Sequence, residues 1–353
     1  MVGLRLLVAL VGVAALGAAI APNYVGPAAT AQAPLFAEAP RQSRAGEKAF
    51  GRAVIRNRYV NVNLTQLDAA VRAPADQSSA LEMNLFPYLS SLFPDVSITA
   101  VRQRVSATRS GQGAIWLGKA QGVADSAITL VSEGGVLVGN LQVGSRYFQI
   151  RYAGDGVHAI QETNPRLYAD EHPPLRLAAP GVPAAPARTA IPALGGARPN
   201  APPLAAAASG NPLADSGGTI DVLVVYSQGA AAAAGGTTGI NNLITLMETE
   251  TNQGYAQSGV AQRLRIVQRQ QVTSPEGLGL NTYLNRLLNG SDGNMDEVPG
   301  LRNSVGADVV YLVQNLVADP CGLAAMVLNP VSTGLAPFGY AVGELDCSTG
   351  SGG

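Results

Sequence analysis

The 353-residue sequence holds two lysines, Lys48 and Lys119, two histidines, His158 and His172, and two cysteines, Cys321 and Cys347. Charged residues make up 13% and the formal net charge is −1, so no basic field offers itself to a nucleic-acid backbone. The histidines lie fourteen positions apart, without the spacing of metal ligands, and read as surface residues. The cysteines, 26 apart, exclude a CxxC-type metal site. Long apolar runs are scarce. The one at Leu6 to Ala21 has 16 uncharged residues, short of the roughly 20 that a membrane span needs. Arginine in place of lysine, with abundant alanine and glycine, reflects a GC-rich genome more than a function.

What is present at the start reads as an export signal. Arg5 supplies the positive region, the apolar run follows, and Ala29-Thr30-Ala31 offers an Ala-x-Ala site with Gln32 as the mature start. Cleavage after Ala21 would put Pro22 at the next position, which disfavours it. The sequence therefore predicts a secreted or periplasmic bacterial protein with no stable membrane anchor once the signal is removed. In that compartment Cys321 and Cys347 are expected to close a disulfide, worth about 3 kcal/mol in the chain-entropy model; two free thiols are the alternative.

Composition divides the remainder. Residues 32–52 form a loose lead-in, 53–172 a β-rich domain, 173–218 a Pro/Ala-rich linker, and 219–353 an α/β domain. In the β-rich block Val60, Val62 and Leu64 alternate with Tyr59, Asn61 and Asn63. Further short strands at 96–101, 114–117, 127–131, 136–143, 146–152 and 157–161 are punctuated by glycine turns, the pattern of an antiparallel meander. Helices are expected at 64–71 and 79–92. The α/β block opens on Ile220-Asp-Val-Leu-Val-Val-Tyr226, a run suited to a strand buried on both faces. A helix at 240–258 presents Ile240, Leu243, Ile244, Met247, Thr251 and Tyr255 at spacings of three and four, closed by Gly259. Helices at 278–288 and 295–305, the latter capped by Asp292 or Asp296, alternate with strands at 264–267, 308–313, 322–328 and 338–342.

These α/β segments resemble the start of a zincin catalytic domain, namely that of secreted bacterial reprolysin-like metallopeptidases (metzincins), including the peptidyl-Asp metalloendopeptidase group. The likeness is carried by Asp221-Val-Leu-Val-Val-Tyr226, Glu250-Thr-Asn-Gln-Gly-Tyr255 with Ser258-Gly-Val260, and Leu264-Arg-Ile-Val267. It continues through Leu284-Asn-Arg-Leu287, Ser291-Asp-Gly-Asn-Met-Asp296, Leu301-Arg-Asn303 with Gly306-Ala-Asp308, Cys321-Gly-Leu-Ala324 and Cys347-Ser-Thr-Gly350. The β-rich block resembles the propeptide of these enzymes. The implied fold is a β-rich propeptide-like domain followed by an incomplete α/β zincin-like catalytic domain, in a zymogen layout.

The resemblance implies zinc in the complete family, peptide or protein substrates, and hydrolysis by zinc-activated water. It also implies that Gly322, Leu323 and Ala324 form the edge strand that pairs with an extended substrate, although an ordinary edge strand would look the same. The family's HExxHxxGxxH helix, which would follow Cys347, has no counterpart in the sequence. No catalytic residue and no metal ligand is therefore assigned, and no cofactor is expected in this chain. The reading that follows is a truncated metalloendopeptidase precursor, inactive as written. Asp170-Glu171-His172 reads as a solvated charge cluster, with a metal-blocking role as the alternative. A second reading, from a different class, is a secreted non-catalytic binding or inhibitory module built on the propeptide domain. The sequence further leads one to expect a wet face on the strand at 338–342, a marginal α/β block, and a β-rich block that folds by itself.

Overall fold

Alternating side chains build the first half. The computed structural model describes residues 34–40, 51, 53–74, 80–87, 96–168, 175–177, 218–315, 321–327 and 337–347. The signal region with Ala31 and Gln32, His172, and nearly all of the linker lie outside them. Nine strands form one antiparallel sheet: β1 (Phe36–Glu38), β2 (Val54–Val62), β3 (Ala80–Phe86), β4 (Val96–Ala107), β5 (Ala114–Ala120), β6 (Ser126–Glu133), β7 (Val136–Val143), β8 (Arg146–Gly154) and β9 (Val157–Thr163). Their order is β1-β2-β9-β8-β7-β6-β5-β4-β3, so β3 to β9 run as a meander. The two ends of the sheet approach each other, because Leu35 N–H donates to Glu82 O at 2.9 Å while Leu35 O accepts from Asn63 N–H at 2.8 Å. The result is a nearly closed barrel filled by Trp116, Phe36, Phe148, Leu81, Met83 and Leu130, all under 2% exposed.

Helix α1 (Leu64–Arg72) starts where expected, capped by Asn63 Oδ1 accepting from Gln66 N–H at 3.1 Å. The helix expected over 79–92 is instead strand β3 over its described part. Leu81, Met83 and Leu85 are buried while Glu82 is exposed and Asn84 only half-buried, a period of two that overrides local helix propensity.

The second half is a six-stranded sheet in the order β10-β14-β15-β13-β11-β12. Its strands are β10 (Leu175–Leu177), β11 (Thr219–Tyr226), β12 (Arg263–Gln271), β13 (Val309–Gln314), β14 (Gly322–Val327) and β15 (Tyr340–Glu344). β12, β11, β13 and β15 are mutually parallel, and β14 is antiparallel to β15. β11 is buried on both faces: Val222, Val224 and Tyr226 enter one core, Leu223 and Val225 the other. Helices α2 (Gln228–Ala233) and α3 (Thr237–Gln257) serve the first core; α4 (Leu280–Leu288) and α5 (Glu297–Val305) serve the second. Gly259, at φ +72°, follows α3 in the left-handed conformation that a glycine terminator supplies.

One expectation is corrected here. Asp296 does not cap α5 by its side chain; its carboxylate accepts from Asp292 N–H and Gly293 N–H at 3.1 and 2.9 Å, closing the preceding loop. One face of β15 is covered, with Tyr340 and Val342 5% and 1% exposed against the core that α4 and α5 share, while Ala341 on the other face is half-buried. The described residues from Pro34 onward pack into one compact unit, and a single core joins Val131, Val136 and Val138 of the barrel to Ile240, Leu243, Ile244 and Leu246 of α3.

Candidate functional site along strand β14

Gly322, Leu323 and Ala324 lie on β14, paired with Gly343, Val342 and Ala341 of β15. Alternation points Leu323 into the core, at 5% exposure, and leaves Gly322 and Ala324 exposed. A Cβ at Gly322 would stand 3.2 Å from Val342 O, so glycine lets the two backbones approach. Cys321 anchors the start of the strand. It is disulfide-bonded to Cys347 with Cα atoms 5.2 Å apart, and its carbonyl accepts from Glu344 N–H at 2.9 Å. The strand is therefore braced from both its ladder and its first residue.

The other side of β14 is not a bare edge. Ala325, Met326 and Val327 pair in parallel with Leu175, Arg176 and Leu177, so a segment from within the sequence-defined linker adds the sixth strand. This is main-chain strand addition, the mode by which an extended peptide is recognised, and the chain supplies it to itself. Composition alone could not reveal it, because Leu175-Arg-Leu177 is too short to show strand periodicity amid prolines and alanines.

At the carboxyl ends of the parallel strands, Gln314 is fully buried and donates from Nε2 to Ser274 Oγ at 2.9 Å. Ser227 caps α2, its Oγ accepting from Ala230 N–H at 3.0 Å. The turn after β15 reaches the barrel electrostatically. Burial lowers the Arg151 guanidinium to about 10, against the opposing pull of Glu250, Tyr168 and Asp346. Burial likewise raises the Tyr168 phenol, with Arg151 acting the other way. Arg151 donates to Gly139 O and to Asn140 Oδ1, both at 2.9 Å, and Asn140 Nδ2 donates to both oxygens of Glu250 on α3 at 2.9 and 2.8 Å. Apart from Glu250, which the sequence names only as part of the resemblance, these interfacial residues were not singled out. A signal for the interface lay in Asn241-Asn242, a polar pair beside the apolar stripe near the start of α3 that helix propensity disfavours.

His158 is corrected from surface to core. It lies on β9, is 1% exposed, and its Nε2 accepts from Leu137 N–H at 3.0 Å. Burial lowers its imidazole to about 4, a Gly156 backbone hydrogen bond acting in the opposite sense. That nitrogen is committed to a backbone donor, and the two cysteines are committed to each other. Among the described residues no group of three or more His, Cys, Asp or Glu side chains is placed to hold a metal ion. Among them, too, no helix is long and apolar enough to cross a membrane.

No family model matches the chain. It is 28% identical over 350 residues to a peptidyl-Asp metalloendopeptidase of Xanthomonas campestris pv. campestris, covering 94% of this chain and 75% of the relative. Two proteins of the same name from Stenotrophomonas maltophilia are 28% and 29% identical, each over 92% of this chain and 72% of their own length. The solved metalloproteinase-II from Bacteroides fragilis is similar at a TM-score of 0.41 and 10% identity over 81% of each chain, too distant to carry an argument. Three relatives of one name, matched across nearly the whole chain, support a metallopeptidase family for it.

Proposed function

We propose that the chain is the precursor portion of an exported, metzincin-type zinc metalloendopeptidase, comprising the propeptide barrel and the substrate-strand side of the catalytic domain. The observation that carries this reading is the similarity over 94% of the chain to a named metalloendopeptidase, which takes in barrel and α/β layer alike. In this account Gly322, Leu323 and Ala324 of β14, outside the stretch that β10 occupies, offer their backbone to an extended peptide, and the Cys321–Cys347 bridge holds that strand to the turn after β15. Zinc-activated attack on the peptide carbonyl belongs to the complete enzymes of the family. A polypeptide of this sequence has no HExxH and is expected neither to retain zinc nor to cleave peptides. Elemental analysis and a casein assay on the purified chain test this together. Substoichiometric zinc and no chelator-sensitive cleavage are expected; one zinc per chain with chelator-sensitive cleavage would overturn it.

A second reading, a non-catalytic inhibitory module, is favoured by one observation: the barrel grips α3 through polar groups buried within an apolar interface.

A further inference from the structure

The junction between barrel and α3 is built as an interface between partners. The β6–β7 hairpin lays its turn, Glu133-Gly134-Gly135-Val136, across the helix. Asn242, 2% exposed, donates from one Nδ2 to both Glu133 O and Val136 O at 3.0 Å. Two turns further along α3, Glu250 accepts from Asn140 as described, and Arg109 pairs with Glu248 at 2.7 Å. Between these anchors, Val131, Val136 and Val138 meet the apolar residues of α3. Backbone closeness adds specificity. A Cβ at Gly134, φ +62°, would stand 2.9 Å from Thr238 Cγ2, and one at Gly235, φ +83°, would stand 2.6 Å from Tyr152 Cδ1. An apolar patch framed by directional, buried hydrogen bonds is the anatomy of a specific protein–protein interface.

We infer that the barrel is a self-sufficient binding partner of α3 and stays bound noncovalently when the chain is cut between the two halves. The clamp at Asn242 and Glu250 holds it there, and the β10–β14 pairing is not required. The association needs no metal and no peptidase activity, so it can fail or hold independently of the proposed function. α3 covers β11, β12 and β13 on one face of the sheet, whereas β14 lies beyond β15 at the opposite side, so the two attachments are spatially distinct. The occupant to which this surface is fitted is the chain's own barrel.

Two cut sites separate the attachments. A specific protease site is inserted in the full chain either between Tyr168 and Leu175, leaving β10 with the α/β half, or within 178–217, leaving it with the barrel. After digestion both forms are expected to co-elute on size exclusion. Asn242→Ala, which leaves two carbonyls without their donor, is expected to weaken association of either cut form about tenfold to a hundredfold. Asn140→Ala provides a second variant should Asn242→Ala fail to fold, judged by circular dichroism before cutting. Separation of the halves in both cut forms would overturn the inference. So would co-elution only of the form in which β10 stays with the barrel, or undiminished association of the folded variants.

Discussion

His158 and Glu162 lie four positions apart on β9, yet burial acts on them in opposite ways. Glu162 would be raised by burial, but Arg146 and Arg56 overcome this and hold its carboxyl below the usual range. Arg146 grips both oxygens at 2.7 and 2.8 Å, Arg56 adds a bond of 2.6 Å, and the two guanidiniums lie over Phe148 and Phe86. Its contribution to stability is present above pH 4.5 and is lost as pH falls through its folded value. His158 has no such partner and stays neutral down to about 4. Between its ordinary value of 6.5 and about 4, the unfolded chain takes up a proton that the folded chain refuses. Stability therefore falls with pH across that window, by about 3 kcal/mol once the lower bound is passed. Urea midpoints measured from pH 7 to pH 4.5 should decline accordingly. His158→Gln, whose amide oxygen can still accept from Leu137 N–H, should flatten most of that decline; an equally steep decline in the variant would remove His158 from the account.

Among the elements, α3 does the most joining. One side meets β11 and β12 through the core that contains Val222, Val224 and Ile266, and the other meets β6 and β7. Leu246, fully buried in that same core, should lose about 2–5 kcal/mol on replacement by alanine, read as a shift in the denaturation midpoint. A loss below about 0.5 kcal/mol, the ordinary surface range, would mean that the helix is not enclosed. Much at this scale was legible beforehand. The two-face burial of β11, the stripe of α3, Gly259 as its terminator and the meander of β4 to β9 follow from periodicity and glycine placement alone. β3 was misread because Leu81, Met83 and Leu85 carry a period of two through residues that also suit a helix. β10 could not be read at all, since three residues hold no period. Asp296 shows a further limit: an aspartate before a helix satisfies whichever amides lie nearest, here those of its own loop.

At the scale of the whole molecule, the sequence divided the chain by composition, and composition does not record what the blocks do to each other. Val131, Val136 and Val138 looked like ordinary strand residues, and their role as a lid over α3 depends on contacts more than a hundred positions away in the chain. The sequence reading treated the α/β block as isolated, and so could not include what the barrel adds to it. Joined to the barrel, its first sheet face is enclosed by α3 and the hairpin, and its second by α4 and α5. The α/β sheet and the barrel are thus held in one body by a shared core.

That unity can be measured with two intrinsic probes. Trp116, the sole tryptophan, lies 1% exposed inside the barrel, while α2, α3, α4 and α5 all belong to the α/β half. Urea unfolding followed by tryptophan fluorescence and by helical ellipticity should give coincident transitions, as expected of a single cooperative unit. Helical signal lost at a clearly lower urea concentration than the tryptophan signal would show two independent bodies and contradict the account.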